Sequence, residues 1–389
     1  MSDPMEFTGK YTSCKVFTQD IEQGAISQIY EFLNCPAFEG AQIRIMPDVH
    51  AGSGAVIGFT ALVGDKIVPN TIGVDIGCGV QAVDLGMKTI PKGFQWFDDM
   101  LRANVPAGFS LRARTYPEGK VKALFTRYIS PALTPFIEAV SALAKKVGAD
   151  EGKVWLSAGT LGSGNHYHEL DKDPTTETLW LTVHSGSRNF GLRVATYHQN
   201  KAVATMGKRG GLEWLEGANA QEYLADMRVA QNFAMLNRLI MLETLVDGLG
   251  LGFKLPDLEM ITSVHNYIGE DNIIRKGAIS ALAGQKLLIP WNMRDGLLVG
   301  LGKGNAEWNN SAPHGSGRRM ARGQAKRELS VNDFKADMEG IWSSCVGKET
   351  LDESPAAYKP TKNVLGAIGD TVDVVAQLKP VYNFKAGKE

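Results

Sequence analysis

The glycine-rich loop at residues 73–79, GVDIGCG, constrains this chain more than any other stretch. It places Asp75 and Cys78 three positions apart in a run where three of seven residues are glycine. Glycine costs backbone entropy wherever it sits, so this density indicates tight turns and the close approach of another group to the backbone. Six of the seven histidines lie in similarly glycine-rich or turn-like surroundings. The chain is therefore predicted to gather loops that carry metal-binding side chains.

Short apolar runs separated by glycine turns predict a sheet whose loops meet at one edge. Strands are predicted at 11–17, 41–46, 55–63, 179–183 and 287–290, and the second one is predicted to stop where Pro47-Asp48-Val49-His50 begins. Helical periodicity is strongest at 218–250, and a basic helix is predicted to follow residue 317. We therefore predict an α+β fold: one large domain over 1–389, with a β-rich core, glycine-rich active-site loops and helical insertions at about 90–150 and 195–260.

Composition excludes several classes of protein. A chain of 389 residues with 44% hydrophobic and 21% charged residues is typical of a soluble globular protein. Its apolar runs fall short of the ~20 residues that a membrane span needs, and no secretory signal is visible at the start. The four cysteines show no framework-like spacing, which is typical of a reducing cytosol, so we expect a cytoplasmic protein. Because the net charge is −1, nucleic-acid binding would need a local basic surface.

Five side chains beside glycines or at the ends of apolar runs are the candidate metal ligands. They are Asp75, Cys78, His166, His184 and His265. Thiolate and imidazole together select a transition metal over magnesium or calcium, and this chemistry alone favours zinc. Five ligands exceed a closed zinc site, and a bridging cysteine would let them hold two ions about 3.5–4 Å apart. The alternative is a set of hydrogen-bonded structural histidines and a small buried cysteine.

His314 differs from the other histidines because its neighbours suit a phosphate. Gly315, Gly317, Arg318 and Arg319 offer flexible backbone N–H groups and guanidiniums. A histidine among phosphate-binding groups can act as a nucleophile towards phosphorus. A surface histidine that orders a loop is the alternative interpretation.

Seven sequence blocks in order resemble the RtcB-type RNA ligase family over nearly the whole chain. The blocks are MPDVHAGSG (46–54), GVDIGCG (73–79), GTLGSGNHYHE (159–169), VHSGSR (183–188), VHNY (264–267), RKGAISALAGQ (275–285) and HGSGRRMAR (314–322).

The resemblance implies a GTP-dependent ligase that joins RNA 3′-phosphate or 2′,3′-cyclic phosphate ends to 5′-hydroxyl ends. It implies two Mn²⁺ ions in place of the zinc favoured above. Asp75, Cys78 and His166 would hold one ion, and Cys78, His184 and His265 would hold the other. His314 matches the histidine that becomes guanylylated, and its GMP would pass to the RNA 3′-end.

The resemblance also implies nucleotide contacts. Asn165 would contact the α-phosphate of the nucleotide, and Glu169, Tyr358 and Lys385 match positions of the guanine pocket. Further nucleotide-binding positions are expected at Asn292, Gly315 and Gly317. Charge and position alone make four arginines candidates for gripping RNA phosphates: Arg188, Arg275, Arg318 and Arg319.

The chain departs from the family pattern at Pro290-Trp291-Asn292-Met293-Arg294-Asp295, where many members carry a small-residue loop. Nucleotide preference could differ as a result, and we expect a divergent paralogue for RNA repair rather than a tRNA-splicing enzyme. The alternatives are a 3′-end guanylylating (capping) enzyme, a dinuclear metallophosphoesterase acting on cyclic phosphates, and a non-catalytic RNA- or metal-binding protein. The RNA substrate, the oligomeric state and any activating partner stay open.

Overall fold

Two β-sheets carry the glycine-rich loops. The computed structural model describes residues 3–208 and 210–387; Met1, Ser2, Arg209, Lys388 and Glu389 of the predicted domain lie outside it. In chain order its strands are β1 (Met5–Thr8), β2 (Ser13–Val16), β3 (Ile43–His50), β4 (Ile57–Leu62), β5 (Lys66–Ile67), β6 (Gly79–Asp84), β7 (Tyr167–Lys172), β8 (Leu179–Ser185), β9 (Leu215–Glu216), β10 (Met260–Val264), β11 (Asn266–Ile268), β12 (Ile273–Lys276), β13 (Ala278–Ser280), β14 (Lys286–Pro290), β15 (Leu297–Gly302), β16 (Ser311–Pro313) and β17 (Val372–Lys385).

The larger sheet is antiparallel throughout and curls until its edge strands meet. Its spatial order is β10, β6, β8, β7, β17, β15 and β14. The edge strands β10 and β14 pack together, and the backbone N–H of Leu288 donates to Oγ of Ser263 over 2.8 Å. The sheet is therefore nearly closed.

The second sheet has the order β1, β2, β3, β4, β12 and β11, with β2 and β3 parallel and the other pairs antiparallel. Two short antiparallel pairs, β13 with β16 and β5 with β9, lie beside the sheets. Strand β16 ends directly before His314, and β3 carries Asp48. This part of the fold therefore positions the histidine loop.

The helices cover the sheets. In chain order they are α1 (Gln23–Leu33), α2 (Gly93–Asn104), α3 (Glu118–Tyr128), α4 (Leu133–Lys146), α5 (Glu151–Ser157), α6 (Arg188–Met206), α7 (Gly217–Leu249), α8 (Arg322–Glu328), α9 (Val331–Asp337) and α10 (Thr361–Ala367).

Helix α7 is the longest of these helices and packs on α6 and β8. Phe233, Leu236 and Ile240 on it are fully buried, as their helical spacing predicts. It ends at Gly250, whose left-handed backbone (φ +66°) closes the last turn without a steric penalty. The α+β class is confirmed. Helices α2–α4 lie within the stretch predicted at about 90–150 and α5 follows it, whereas α6 begins before the stretch predicted at about 195–260 and α7 lies within it. The division into one domain with two insertions stays a prediction. In the described residues, no helix is long and apolar enough to cross a membrane.

Two local predictions were wrong. Strand β3 continues through Pro47 to His50, because the register shift between Ile45 and His50 accommodates a residue without an N–H. The basic helix α8 begins only at Arg322. The residues before it pair with a neighbouring segment instead, since the N–H of Arg319 donates to the carbonyl of Ala357 over 3.0 Å.

Candidate active site

One cavity of about 540 Å³ brings together most of the predicted site residues. Those that line it are Asp75, Cys78, Asn165, Glu169, His184, His265, Asn292, His314, Gly315, Gly317, Arg318, Arg319, Tyr358 and Lys385. His166 lies directly behind this lining, in contact with Cys78 and Asp75. Arg188 and Arg275 are outside it.

The candidate metal ligands come from adjacent strands of the larger sheet. Cys78 directly precedes β6, His184 lies in β8, and His166 directly precedes β7. His265 follows β10, the other neighbour of β6. Because these four strands are neighbours, their ends deliver the four side chains to one point.

Cys78 lies between two imidazoles. Its Sγ is 3.4 Å from Nε2 of His166 and 3.3 Å from Nε2 of His184. Nε2 of His166 is also 3.0 Å from Oδ2 of Asp75, and Nε2 of His184 is 3.3 Å from Nε2 of His265. Ligand atoms of Cys78, His166 and His184 all lie within 4.8 Å of one another, close enough to share a metal ion.

Backbone carbonyls fix the orientation of two of these histidines. Nδ1 of His166 is 3.0 Å from the carbonyl oxygen of Leu161, and Nδ1 of His184 is 3.1 Å from that of Asn165. A carbonyl only accepts, so each Nδ1 carries a proton, and Nε2 of His184 is left to present a lone pair to the cluster. This is the usual arrangement behind a metal-binding histidine.

Burial disfavours charge on the Cys78 thiol and on two of the imidazoles. It lowers the pKa of His184 and of His265 well below the ordinary value, and it raises the pKa of the Cys78 thiol well above its ordinary value. A soft sulfur and several imidazole nitrogens therefore converge in a space that disfavours charge on them. Such a donor set fits a transition-metal ion, which also stabilises the thiolate.

Asp75 is the charged member of the cluster. Burial raises its pKa, but the hydrogen bond and charge of His166 outweigh burial and hold the pKa at about 2. The N–H of Ser187 donates to Oδ1 of Asp75 over 3.0 Å. Residue 186 has to be glycine because a Cβ there would overlap the Asp75 carboxylate.

Two residues that the sequence analysis missed hold these loops together. Asn237 in α7 accepts from the N–H of Gly159 (2.7 Å) and donates to the carbonyl of Gly186 (3.0 Å). The next residue, Arg238, is fully buried and donates to the carbonyls of Gly77 (2.8 Å) and Ser185 (2.7 Å). The sequence does contain a signal for these two residues, because they form a polar pair between apolar residues of a core helix.

His314 is oriented by a buried carboxylate. Its Nδ1 is 2.6 Å from Oδ2 of Asp48, which also accepts the backbone N–H of His314 over 3.2 Å. The pairing places the ring proton on Nδ1, so Nε2 carries the lone pair of a nucleophile. The His314 ring centroid is 4.8 Å from that of His265, which puts the histidine beside the metal cluster. The sequence analysis did not predict this role for Asp48, although Asp48 lies in the MPDVHAGSG block.

Another part of the cavity lining, the Glu353 wall of Arg318, Arg322, Tyr358 and Lys385, is rich in paired charges. Arg318, Tyr358 and Lys385 all line the cavity and all donate to one carboxylate, Glu353. Arg319, by contrast, donates Nε to the carbonyl of Ala356 (2.9 Å) and is exposed.

Two further predicted nucleotide contacts have partners within the protein. Glu169 accepts from the side chain of Asn383, and burial together with the neighbouring Asp171 raises the pKa of Glu169 well above its ordinary value. Oδ1 of Asn292 accepts from the N–H groups of Arg294 and Asp295, both at 3.0 Å, which closes the turn of the unusual 290–295 loop.

Arg188 and Arg275 have internal partners. Arg188 donates to Oγ1 of Thr160 (3.1 Å) and to the carbonyl of Gly108 (3.3 Å). Arg275 is fully buried and donates to the Asp271 carboxylate, with one contact at 3.0 Å. We leave both out of the proposed phosphate-binding set.

The α+β fold, the buried cysteine–histidine cluster and the carboxylate-oriented histidine define a class of metal-binding enzymes. A family model described as tRNA-splicing ligase RtcB matches residues 28–386. The chain therefore belongs to the RtcB family and is an RNA ligase of that type.

Similar proteins cover nearly the whole chain. The RNA-splicing ligase RtcB1 of Escherichia coli (strain ATCC 25922) is 32% identical over 404 residues, covering 94% of this chain and 95% of that protein. The RNA-splicing ligase RtcB of E. coli K12 is 31% identical with the same coverage. The tRNA-splicing ligase RtcB of Archaeoglobus fulgidus is 28% identical over 450 residues, covering 95% of this chain and 92% of that protein.

Proposed function

We propose that this enzyme joins RNA 3′-phosphate or 2′,3′-cyclic phosphate ends to 5′-hydroxyl ends, using GTP and a guanylylated His314. The observation that carries the proposal is the pairing of His314 with Asp48 over 2.6 Å, at the edge of the cavity that also holds the Cys78 cluster. A nucleophile, a metal-binding cluster and an anion-binding wall therefore face one space.

The first step uses the Nε2 lone pair of His314. Nε2 attacks the α-phosphorus of GTP, a P–N bond forms, the bond from the α-phosphorus to the bridging oxygen breaks, and pyrophosphate leaves. The ring becomes cationic in this step, and the Asp48 carboxylate at Nδ1 stabilises that charge. Asp48 also keeps Nε2 aimed into the cavity.

The second and third steps transfer and then release GMP. An oxygen of the RNA 3′-phosphate attacks the phosphorus of the adduct, so that His314 is regenerated and the RNA end carries GMP. The 5′-hydroxyl then attacks the 3′-phosphorus, GMP leaves, and a phosphodiester forms. A 2′,3′-cyclic phosphate has to be opened by water before the second step.

Two Mn²⁺ ions are proposed as the resident metals. Asp75, Cys78 and His166 would hold one ion, and Cys78, His184 and His265 the other. The position of Cys78 Sγ, within 3.4 Å of an imidazole on either side, supports a bridging role. Bound Mn²⁺ would supply Lewis-acid stabilisation of charge on the phosphoryl oxygens.

Nucleotide and RNA contacts are proposed from the lining of the cavity. Asn165, Glu169, Asn292, Gly315, Gly317, Tyr358 and Lys385 would bind GTP. Arg318 and Arg319 remain the proposed phosphate contacts, because both residues line the cavity and Arg319 is exposed.

Incubation with α-labelled GTP and Mn²⁺ tests the proposal. We expect an acid-labile protein–GMP adduct that disappears in His314→Ala. His198→Asn is the matched control, because His198 is bound to Asp226 between α6 and α7 and lies outside the cavity. No adduct in the wild type, or an adduct that survives in His314→Ala, would refute the proposal.

Product analysis separates the alternatives. A capping enzyme would accumulate RNA with a 3′-terminal GMP and no sealed product, whereas a phosphoesterase would open cyclic phosphates without consuming GTP. Comparing broken tRNA anticodon loops, rRNA ends and spliced exon halves tests the proposed role in RNA repair. Equal rates on all three would count against a specialised repair paralogue.

A further inference from the structure

Glu353 is a buried carboxylate that lies directly behind the wall of the cavity. It ends the short 3₁₀ segment Lys348–Glu353, its side chain is 2% exposed, and it is not among the residues that line the cavity. The side chains that hydrogen-bond to Glu353 do line the cavity: they are Arg318, Arg322, Tyr358 and Lys385.

Each carboxylate oxygen of Glu353 accepts hydrogen bonds from two of these partners. Oε2 accepts from Nζ of Lys385 and from the hydroxyl of Tyr358, both over 2.7 Å. Oε1 accepts from Nη1 of Arg318 over 3.3 Å and from Arg322. A carboxylate offers about four acceptor positions, so the hydrogen-bonding capacity of Glu353 is fully used.

The partners keep unused donors. An ammonium has three N–H bonds and a guanidinium has five, and Glu353 takes one from Lys385 and one from Arg318. Arg318 uses three others, on the Tyr358 hydroxyl and on the carbonyls of Met320 and Asp352, and keeps one. The wall therefore presents fixed cations with donors to spare, which suits a polyanion.

Glu353 also joins segments that are far apart in the chain. Arg318 and Arg322 follow β16, Tyr358 follows the 3₁₀ segment, and Lys385 ends β17. The Arg318 guanidinium lies 5.0 Å from the centre of the Tyr358 ring, so removing the carboxylate would disturb both side chains together. Without the carboxylate, Arg318 and Lys385 would lose the charge that neutralises them, whereas Arg322 would keep its ion pair with Asp352 (2.9 Å).

We propose that Glu353 is a positioning residue for the nucleotide: it fixes Lys385, Tyr358 and Arg318 in the arrangement that receives GTP, without touching GTP itself. This inference rests on the proposed function. Glu353 would therefore affect the affinity for GTP, whereas Asp48 would affect the reaction at His314.

The first test is the split between KM and kcat for guanylylation in Glu353→Gln, which keeps the shape and removes the charge. We expect the KM for GTP to rise at least about tenfold while kcat stays within about threefold, because a tenfold loss is the effect of one disordered charged contact. Bound Mn²⁺ should be unchanged. Glu259→Gln is the matched control, since Glu259 pairs with Lys286 on the surface and is expected to leave KM unchanged.

The second test asks whether Glu353 acts through Lys385. In a Lys385→Met background, Glu353→Gln should raise KM less than it does in the wild type, because the two changes remove one shared interaction. Glu353→Asp keeps the charge but shortens the side chain, so it is expected to raise KM by about threefold to tenfold and provides a second variant if Glu353→Gln does not fold. A folded Glu353→Gln or Glu353→Asp enzyme with wild-type KM, or fully additive effects, would overturn the inference.

Direct binding separates this inference from the proposed function. The dissociation constant for GTP is measured calorimetrically with Mn²⁺ in His314→Ala, with and without Glu353→Gln, where no adduct can form. Weaker binding in the double variant supports the role of Glu353 even if the wild type forms no adduct. Equal binding overturns that role even if guanylylation is confirmed.

Discussion

The two sides of the cavity have opposite electrostatic character. At the Cys78 cluster, one sulfur and three imidazoles converge, and neutral backbone carbonyls hold His166 and His184. At the Glu353 wall, the carboxylates of Asp352 and Glu353 face four cationic side chains. The first side has a surplus of electron-pair donors and suits a cation. The second has a surplus of hydrogen-bond donors and suits an anion. His314 lies beside the first, against His265.

The largest effect is expected from Cys78→Ala. If Cys78 is the bridge between the two proposed ions, its loss should abolish bound Mn²⁺, guanylylation and ligation together. Asp75→Ala is the comparison, because that variant keeps Cys78, His184 and His265 and should retain one ion. The metal-to-protein ratio of each purified, Mn²⁺-loaded variant measures this, and two ions bound to Cys78→Ala would break the assignment.

Asp48→Asn should have the next largest effect. The amide cannot stabilise the imidazolium that forms at His314, so kcat for guanylylation should fall about 10²–10⁴-fold, the range for loss of such a partner. The KM for GTP should change little because the Glu353 wall is intact. Single-turnover kinetics with labelled GTP measure both quantities, and a rise in KM alone would show that Asp48 belongs to nucleotide binding instead.

Arg238→Met tests the support behind the metal cluster. It removes hydrogen bonds from a buried guanidinium to the carbonyls of Gly77 and Ser185, and should destabilise folding by about 3–6 kcal/mol. Urea denaturation of the metal-free protein measures the loss. The exposed Arg193 provides the control Arg193→Met, which should cost less than about 1 kcal/mol. A loss below that value in Arg238→Met would show that the loops do not depend on α7.

The smallest predicted effect concerns acid stability and the Glu353 wall. Burial raises the pKa of Glu353, but the charges of Lys385, Arg322 and Arg318 outweigh burial and hold the pKa at about 2, below its ordinary 4.5. A depressed carboxyl pKa stabilises the folded state above pH 4.5, and that stabilisation is lost as pH falls towards 2. The full contribution is about 3 kcal/mol.

Comparing the wild type with Glu353→Gln by urea denaturation between pH 7 and pH 2.5 measures this contribution. The gap in unfolding free energy should be largest above pH 5 and should shrink as the solution is acidified. A gap that stays constant over this range would contradict an ionised Glu353.

Local patterns in the sequence were enough to predict which side chains meet at the Cys78 cluster. Asp75, Cys78 and the histidines stand in short motifs, and glycines mark the turns that present them. The support behind them could not be predicted, because it comes from distant residues: Asp48 and His314 are 266 positions apart, and Arg238 and Gly77 are 161 apart. Only the order of the strands reveals such pairs.

Contacts between distant residues also explain why the sequence did not predict which charged side chains lie at the cavity. Arg275 lies in a quoted block and carries a charge suited to phosphate, yet the fold buries it beside Asp271. Glu353 lies in no quoted block, yet the fold places it behind three residues that were expected to bind nucleotide or phosphate. Helices, by contrast, follow local periodicity, so α7 was predicted to within one residue at each end.

Peptide mapping of the enzyme after incubation with GTP and Mn²⁺ tests the central claim most directly. The account predicts that GMP is attached through an acid-labile P–N bond to the peptide that contains His314, and to no other peptide. An acid-stable adduct, or GMP on a peptide that lacks His314, would contradict it.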